Sequence, residues 1–165
     1  MNCNFELCTF NFELLYNKSM AIFIGTDHRG FELKNKLVEY LQEKNIRIED
    51  MGNYQLDPMD DYPDFAKKVT QAVLQNPEGS LGIVICGSGV GVCIAANKAR
   101  GILCGIGFDP QQTLHAREND HINVLALPSD FVSFEKAKQI IDAFISATPK
   151  KEEKYLRRLR KLENI

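Results

Sequence analysis

The sequence contains no apolar run approaching the roughly 20 residues that a membrane-spanning helix needs. It has no excess of basic residues, because its formal net charge is -2 at pH 7, and this argues against nucleic acid as a partner. It also lacks the basic start of a signal peptide, and Glu6 and Glu13 interrupt the apolar stretches near its beginning. We therefore expect a cytoplasmic protein that binds neither membranes nor nucleic acid.

The cysteines do not form the pattern of a disulfide framework or a metal site. Their number is odd, and no two of them make a Cys-x-x-Cys pair. We interpret them as free thiols of a reducing compartment and expect no zinc site, because ligand pairs at metal spacing are missing. The five are Cys3, Cys8, Cys86, Cys93 and Cys104.

The length and the apolar pattern together predict one α/β domain. A chain of 165 residues suits a single domain, with residues 1–19 interpreted as an N-terminal extension of unknown role and residues 20–165 as the domain itself. Short apolar runs alternate with helical periodicity, which predicts a parallel sheet covered by helices on both faces. A basic amphipathic helix follows Pro149. The predicted strands cover residues 21–25, 47–51, 81–86, 103–108 and 123–127.

Polar residues follow the first and third strands, whose carboxyl ends share one edge of such a sheet. Asp27, His28 and Arg29 follow the first strand, where Asp27 either caps a turn or helps to bind a ligand. The glycine-rich loop 87–91 follows the third strand and opens a helix. Its backbone N–H groups would stabilise an anion or a developing oxyanion, and they favour the thiolate form of Cys86 as a base or nucleophile. A glycine turn for tight packing is the alternative.

Three segments allow alternative interpretations. The glycine loop is a poor dinucleotide fingerprint, because it follows the third strand and Val92 occupies the place of the third glycine. The polar residues 117–121 before the fifth strand form either a solvated turn or part of a site. The last helix carries cations that either face solvent or pair with phosphate, namely Lys154, Arg157, Arg158, Arg160 and Lys161.

Five motifs occur in order along residues 20–165, and together they resemble type B ribose-5-phosphate isomerases and their galactose-6-phosphate isomerase relatives. The motifs lie at residues 25–28, 61–66, 85–91, 95–98 and 123–125. The resemblance implies a Rossmann-like three-layer α/β/α sandwich and a sugar-phosphate isomerase of the pentose phosphate pathway that uses no metal or cofactor. It also implies a homodimer, possibly a dimer of dimers, with each site built from two subunits.

The resemblance implies specific roles in an aldose–ketose isomerisation through an enediolate. Cys86 is the base, Ser88 assists it, and the ring-opening group lies near Asn119 and His121. Asp27 and Tyr62 contact the sugar. The full set of implied substrate-binding residues is Asp27, His28, Tyr62, Gly87, Gly89, Val90, Gly91, Asn97, Asp120, Lys154 and Arg158.

Three positions depart from the family pattern. Asn119 stands where a ring-opening histidine is expected, and a carboxamide cannot relay a proton, so His121 or His115 would have to replace it. Lys154 replaces an arginine, whereas Arg158 matches one. Asp130 replaces a phosphate-binding arginine and would weaken phosphate binding unless it pairs with a cation, for which the sequence offers Arg117, Lys150 and Lys151. An isomerase of another aldose phosphate, of the allose- or galactose-6-phosphate type, and a low-turnover sugar-phosphate-binding protein stay open as alternatives.

Overall fold

The computed structural model describes residues 20–163, so the extension 1–19, with Cys3 and Cys8, lies outside the described residues. The strands are β1 (Ala21–Thr26), β2 (Arg47–Asp50), β3 (Ser80–Cys86), β4 (Cys104–Ile106) and β5 (Val124–Pro128). A 3-10 turn (His28–Gly30) precedes the first of six helices within that range. These are α1 (Phe31–Glu43), α2 (Tyr62–Gln75), α3 (Val90–Ala96), α4 (Pro110–Asp120), α5 (Phe134–Ser146) and α6 (Glu153–Leu162).

The strands form one sheet in the order β2-β1-β3-β5-β4, with all neighbours parallel. Side chains of α1 and α5 cover one face, with α4 packed beside α5, and side chains of α2 and α3 cover the other. Every residue of the central strand β3 is buried, which explains its uninterrupted apolar sequence. The predicted three-layer Rossmann-like sandwich is confirmed.

The helix starts follow the sequence signals. The Asp109 carboxylate accepts hydrogen bonds from the backbone at the start of α4, and the Ser133 hydroxyl does so for α5. Pro63 lies in the first turn of α2, where its missing N–H has no helical partner to lose. Two predicted ranges were too long, because β4 has three residues instead of six and α3 ends at Ala96 instead of near Gly101.

Helix α6 is amphipathic, yet none of its residues is buried. It packs mainly against α4, and Leu162 at its end is 51% exposed. Tyr155, Leu156 and Leu159 are only half-buried. Across residues 20–163, every helix is too short or too polar to cross a membrane.

Candidate active site

The carboxyl ends of β1, β3 and β5 meet at one edge of the sheet, because β3 pairs with both of the other strands. Cys86 ends β3 and is only 5% exposed. Its carbonyl oxygen accepts hydrogen bonds from the backbone N of Ser129 at 2.9 Å and from the Ser129 hydroxyl at 3.1 Å. The predicted base Cys86 therefore lies at the end of β3, where its backbone is hydrogen-bonded to Ser129 directly after β5.

The Asp27 side chain caps the 3-10 turn after β1. One carboxylate oxygen accepts from the backbone N–H groups of Arg29 at 2.9 Å and Gly30 at 3.4 Å. Burial raises the pKa of the Asp27 carboxyl above its ordinary value, and these two donors oppose that rise. Asp27 is thus a buried cap rather than part of a solvated turn, and it lies one residue from His28.

The glycine loop begins directly after Cys86. Gly89 has a φ of 73°, a left-handed conformation that favours glycine, and it precedes α3. A Cβ on Gly91 would lie 2.9 Å from the Tyr62 ring, so the ring packs directly on the loop. The Ser88 hydroxyl accepts a hydrogen bond from the backbone N of Val90 at 3.3 Å. Tyr62, Ser88 and the loop are therefore brought together as expected, beside Cys86.

Asp60 is a site residue that the sequence analysis did not single out. Its side chain is only 8% exposed, and one oxygen lies 2.9 Å from the His28 backbone N and 2.7 Å from His28 Nδ1. The other oxygen accepts from Asn53 Nδ2 at 2.5 Å. Since a carboxylate accepts, His28 Nδ1 carries the proton, and Nε2 is the nitrogen left for a ligand.

A buried lysine supports this arrangement from below. Lys34 is 1% exposed, and its Nζ donates to Asp50 at 2.5 Å and to the Asn53 carbonyl oxygen at 2.7 Å. Buried ammonium groups require such partners, because an unpaired buried charge is costly. Lys34 therefore binds the backbone of Asn53, and the Asn53 side chain in turn binds Asp60. Neither Lys34 nor Asp60 lies in a sequence motif that predicts this role.

Asp130 follows β5 and pairs with Arg29, whereas the sequence suggested Arg117, Lys150 or Lys151 as its partner. The distance from Arg29 Nη2 to Asp130 Oδ2 is 2.5 Å. Arg117 instead donates to the Ile122 carbonyl oxygen, and Lys150 pairs with Glu118. The backbone N of Asp130 also donates to the Gly87 carbonyl oxygen at 3.0 Å, so the pair lies over the glycine loop.

The predicted ring-opening residues lie at the opposite edge of the sheet. Helix α4 starts beyond β4 and runs back to the point where β5 begins, carrying Asn119 and Asp120 there. β3 from Gly82 to Cys86 alone spans roughly 13 Å at about 3.3 Å per residue. Asn119 and Asp120 of one chain therefore do not reach Cys86 of that chain.

Asn119 is buried, and His121 anchors the chain beyond α5. Asn119 Nδ2 lies 2.7 Å from His115 Nε2, while its buried Oδ1 has no hydrogen-bond partner among the described residues. His121 has a φ of 55°, and its Nε2 donates to the Lys150 carbonyl oxygen at 2.8 Å. Lys154 and Arg158 stand exposed on α6, which follows this anchored segment.

Asn97 lies away from Cys86 and the glycine loop. Its carboxamide accepts from the Cys104 backbone N at 2.8 Å and donates to the Cys104 carbonyl oxygen at 2.9 Å. Cys104 begins β4 and pairs with Val124 at the start of β5, so this contact is near the amino edge. A contact between Asn97 and substrate stays a prediction, and the structure shows Asn97 bound to strand β4.

Cys93 and Cys104 interact beside this carboxamide. The Cys93 sulfur lies 3.4 Å from the Cys104 carbonyl oxygen. A hydrogen bond from the Cys104 thiol, with a smaller contribution from Asn97, lowers the pKa of Cys93 to about 7, and the same interaction raises the pKa of Cys104. Within residues 20–163 no three His, Cys, Asp or Glu side chains are grouped so that they could hold a metal ion.

Comparisons with known proteins cover nearly the whole described region. A family model described as Ribose/Galactose Isomerase matches residues 22–162. A relative from Mycoplasma pneumoniae, named probable ribose-5-phosphate isomerase B, is 47% identical over 126 residues, which are 76% of this chain and 82% of the relative. Ribose-5-phosphate isomerase B of Escherichia coli K12 is 40% identical over 126 residues, 76% of this chain and 83% of the relative.

A solved structure also resembles this fold. The crystal structure of ribose-5-phosphate isomerase B from Mycoplasma genitalium, with bound ribulose-5-phosphate, superposes with a TM-score of 0.84. The two sequences are 40% identical, and the match covers 88% of this chain and 95% of that one.

Proposed function

Because the chain belongs to the ribose/galactose isomerase family, we propose that it interconverts ribose 5-phosphate and ribulose 5-phosphate, with Cys86 as the base. The single observation that carries this assignment is the position of Cys86 at the buried end of β3, directly before the glycine loop. The names of the relatives and the ribulose-5-phosphate in the Mycoplasma genitalium structure support the choice of substrate.

The carboxyl-edge residues fit the proton transfer. Isomerisation removes a proton from C2 of the open-chain sugar and returns it to C1, and a thiolate at Cys86 can do both. The intermediate enediolate carries negative charge on oxygen. Backbone N–H groups of loop 87–91 and the Ser88 hydroxyl are the donors for that charge, which typically contributes about 10²–10³ in rate per donor.

Asp27, Tyr62 and His28 complete this half of the site. Tyr62 packs on the glycine loop, Asp27 follows the neighbouring strand β1, and both would contact the sugar hydroxyls. His28 presents Nε2 to the phosphate, because Asp60 occupies Nδ1. Gly87, Gly89, Val90 and Gly91 offer backbone groups rather than side chains, so the substrate can approach the main chain closely.

The other half of the site comes from a second copy of the chain in a homodimer. Asn119, Asp120 and His121 lie near the amino end of β5, and Lys154 and Arg158 are exposed on α6, which follows the Lys150 contact of His121. The apolar residues of α6 are only partly covered by their own chain. Asn119 cannot relay a proton, so ring opening falls to His121. Its Nδ1 is the nitrogen that Lys150 does not occupy.

A coupled assay with ribose 5-phosphate tests the proposal. Cys86→Ala should lower kcat by at least about 10²-fold with KM nearly unchanged, because it removes the base without removing binding contacts. Cys93→Ala is the matched control and should retain kcat within about 2-fold, since Cys93 contacts Cys104 and Asn97. A Cys86→Ala enzyme within a few-fold of wild type would reject Cys86 as base. Tight substrate binding without turnover in the unaltered protein would identify a binding protein instead.

A further inference from the structure

We propose that Arg29 supplies a guanidinium that binds the phosphate of the substrate at the carboxyl edge, and that Asp130 positions it there. This inference rests on the proposed function insofar as the substrate is a sugar phosphate. It adds a residue that neither the motifs nor the comparisons assign to binding.

The position of Arg29 is the first argument. An ideal Cβ built on Gly87 would lie 3.4 Å from Arg29 Nε and 2.7 Å from Asp130 Oδ2. The guanidinium therefore stands over the first residue of the glycine loop, next to Cys86. It also follows His28, so two phosphate-binding side chains would leave the same turn.

Hydrogen bonds also hold Arg29 in place. Its backbone N donates to Asp27 at 2.9 Å, and its carbonyl oxygen shares the Ser129 hydroxyl donor with the Cys86 carbonyl oxygen, each at 3.1 Å. Its Nη2 contacts Asp130. Contacts at both ends of the residue hold the guanidinium before a ligand arrives, which lowers the entropy cost of binding.

The remaining donors of the guanidinium are the third argument. An arginine side chain has five N–H donors in a planar fork that matches a phosphate group, and the Asp130 contact is made through Nη2. The Arg29 side chain is 57% exposed, so a ligand can reach it. Exposed ion pairs of this kind contribute little to stability, so folding alone gives little reason for the pair.

The departure at Asp130 is the fourth argument. The resemblance places an arginine at this position, and an aspartate there would repel a phosphate. The structure nevertheless places a guanidinium over Gly87, because Arg29 reaches it from the turn after β1 and pairs with Asp130 there. Asp130 then acts as a positioning residue.

Binding of inorganic phosphate tests this inference without turnover. Arg29→Ala should weaken phosphate binding at least about 10-fold, measured by calorimetry and by phosphate protection of Cys86 against iodoacetamide. Arg47→Ala is the matched control, because Arg47 is an exposed arginine paired with Glu49 at the start of β2. In the enzyme assay, Arg29→Ala should raise KM about 10-fold with kcat within about 3-fold.

The exchanged pair gives the second test. Arg29→Ala combined with Asp130→Arg should bring phosphate affinity back to within about 3-fold of wild type, because a guanidinium again lies over Gly87. Phosphate affinity of Arg29→Ala within 2-fold of Arg47→Ala would overturn the inference, as would a folded exchanged pair that stays as weak as Arg29→Ala. If the wild type binds phosphate through Arg29 yet does not turn over ribose 5-phosphate, the proposed function fails and this assignment stands.

Discussion

At the carboxyl edge of the sheet, Asp27, His28 and Arg29 are each held by hydrogen bonds from within the same chain. Beyond the amino-edge contact of His121 with Lys150, Lys154 and Arg158 are exposed on a helix that has no buried residue. The first group is preorganised before any ligand arrives. The second lies on a helix whose apolar residues its own chain covers only in part.

The two halves of the proposed site therefore have different tasks. Proton transfer demands fixed geometry, and the edge that carries Cys86 is the one whose side chains are locked by buried Asp27, Asp60 and Lys34. Charge neutralisation is assigned to exposed cations of α6, whereas His121, assigned to ring opening, is held by Lys150. That division predicts three experimental outcomes.

The largest expected effect is recovery of activity by mixing two impaired variants. Cys86→Ala damages the carboxyl edge and Arg158→Ala the amino edge, so one of the two sites in a mixed dimer carries neither change. Refolding the variants together in equal amounts should restore about one quarter of wild-type activity, because half of the dimers are mixed. The measurement is the coupled assay on the refolded mixture.

Each variant refolded alone is the control for this experiment. If the mixture has only the average activity of the two separate preparations, all site residues act within one chain and the division between the edges is wrong. Sedimentation of the mixture checks that dimers have formed.

An intermediate effect is expected at His121, which belongs to the amino edge. His121→Gly and His121→Ala should both lower kcat at least about 10²-fold if this imidazole opens the ring. Both lose the hydrogen bond to Lys150, worth about 1 kcal/mol of unfolding free energy, and alanine should cost about 1 kcal/mol more than glycine at a φ of 55°. Urea unfolding measures the difference in unfolding free energy between the alanine and glycine variants.

The stability measurement separates anchoring from catalysis at His121. Loss of stability with kcat within about 3-fold of wild type would leave His121 as an anchor for the segment before α6 only. Asn119→His would then be the variant in which a gain of turnover on the cyclic sugar is sought.

The smallest effect concerns Cys93, which lies outside both halves. Its alkylation should accelerate as the pH rises through about 7, because the thiolate is the reactive form and its pKa lies near that value. Cys104→Ala removes the thiol donor and should move the midpoint to higher pH. Mass spectrometry of each labelled cysteine gives the profile. A midpoint that does not move would show that Cys104 does not stabilise the Cys93 thiolate.

Much of the fold could be predicted because burial leaves a mark on the sequence. β1, β3 and β5 were placed to within one residue at either end, since strands buried on both faces have continuous apolar runs. β4 was predicted too long, although Leu103 and Gly107 on either side of it still hydrogen-bond to the backbone of residues 123–126, because as an edge strand it has only one neighbour to pair with.

Contacts between distant residues set the limit for the site. Asp60 resembles a solvated loop residue until His28, 32 positions away, and Asn53 close around it. Arg29 and Asp130 are separated by 101 positions, and their pairing depends on a strand order that alternation alone does not reveal. The glycine loop was placed correctly because its residues are consecutive.

The hydrogen bonds of Asn97 have a further consequence for the open side of β4. The backbone N and carbonyl oxygen of Cys104 point away from β5, and the Asn97 carboxamide binds both of them. Gln112 Nε2 donates to the next outward carbonyl oxygen, that of Ile106, at 3.1 Å. Two side chains thus occupy the groups through which a strand of another molecule would pair, and an edge closed in this way is protected against aggregation by strand addition.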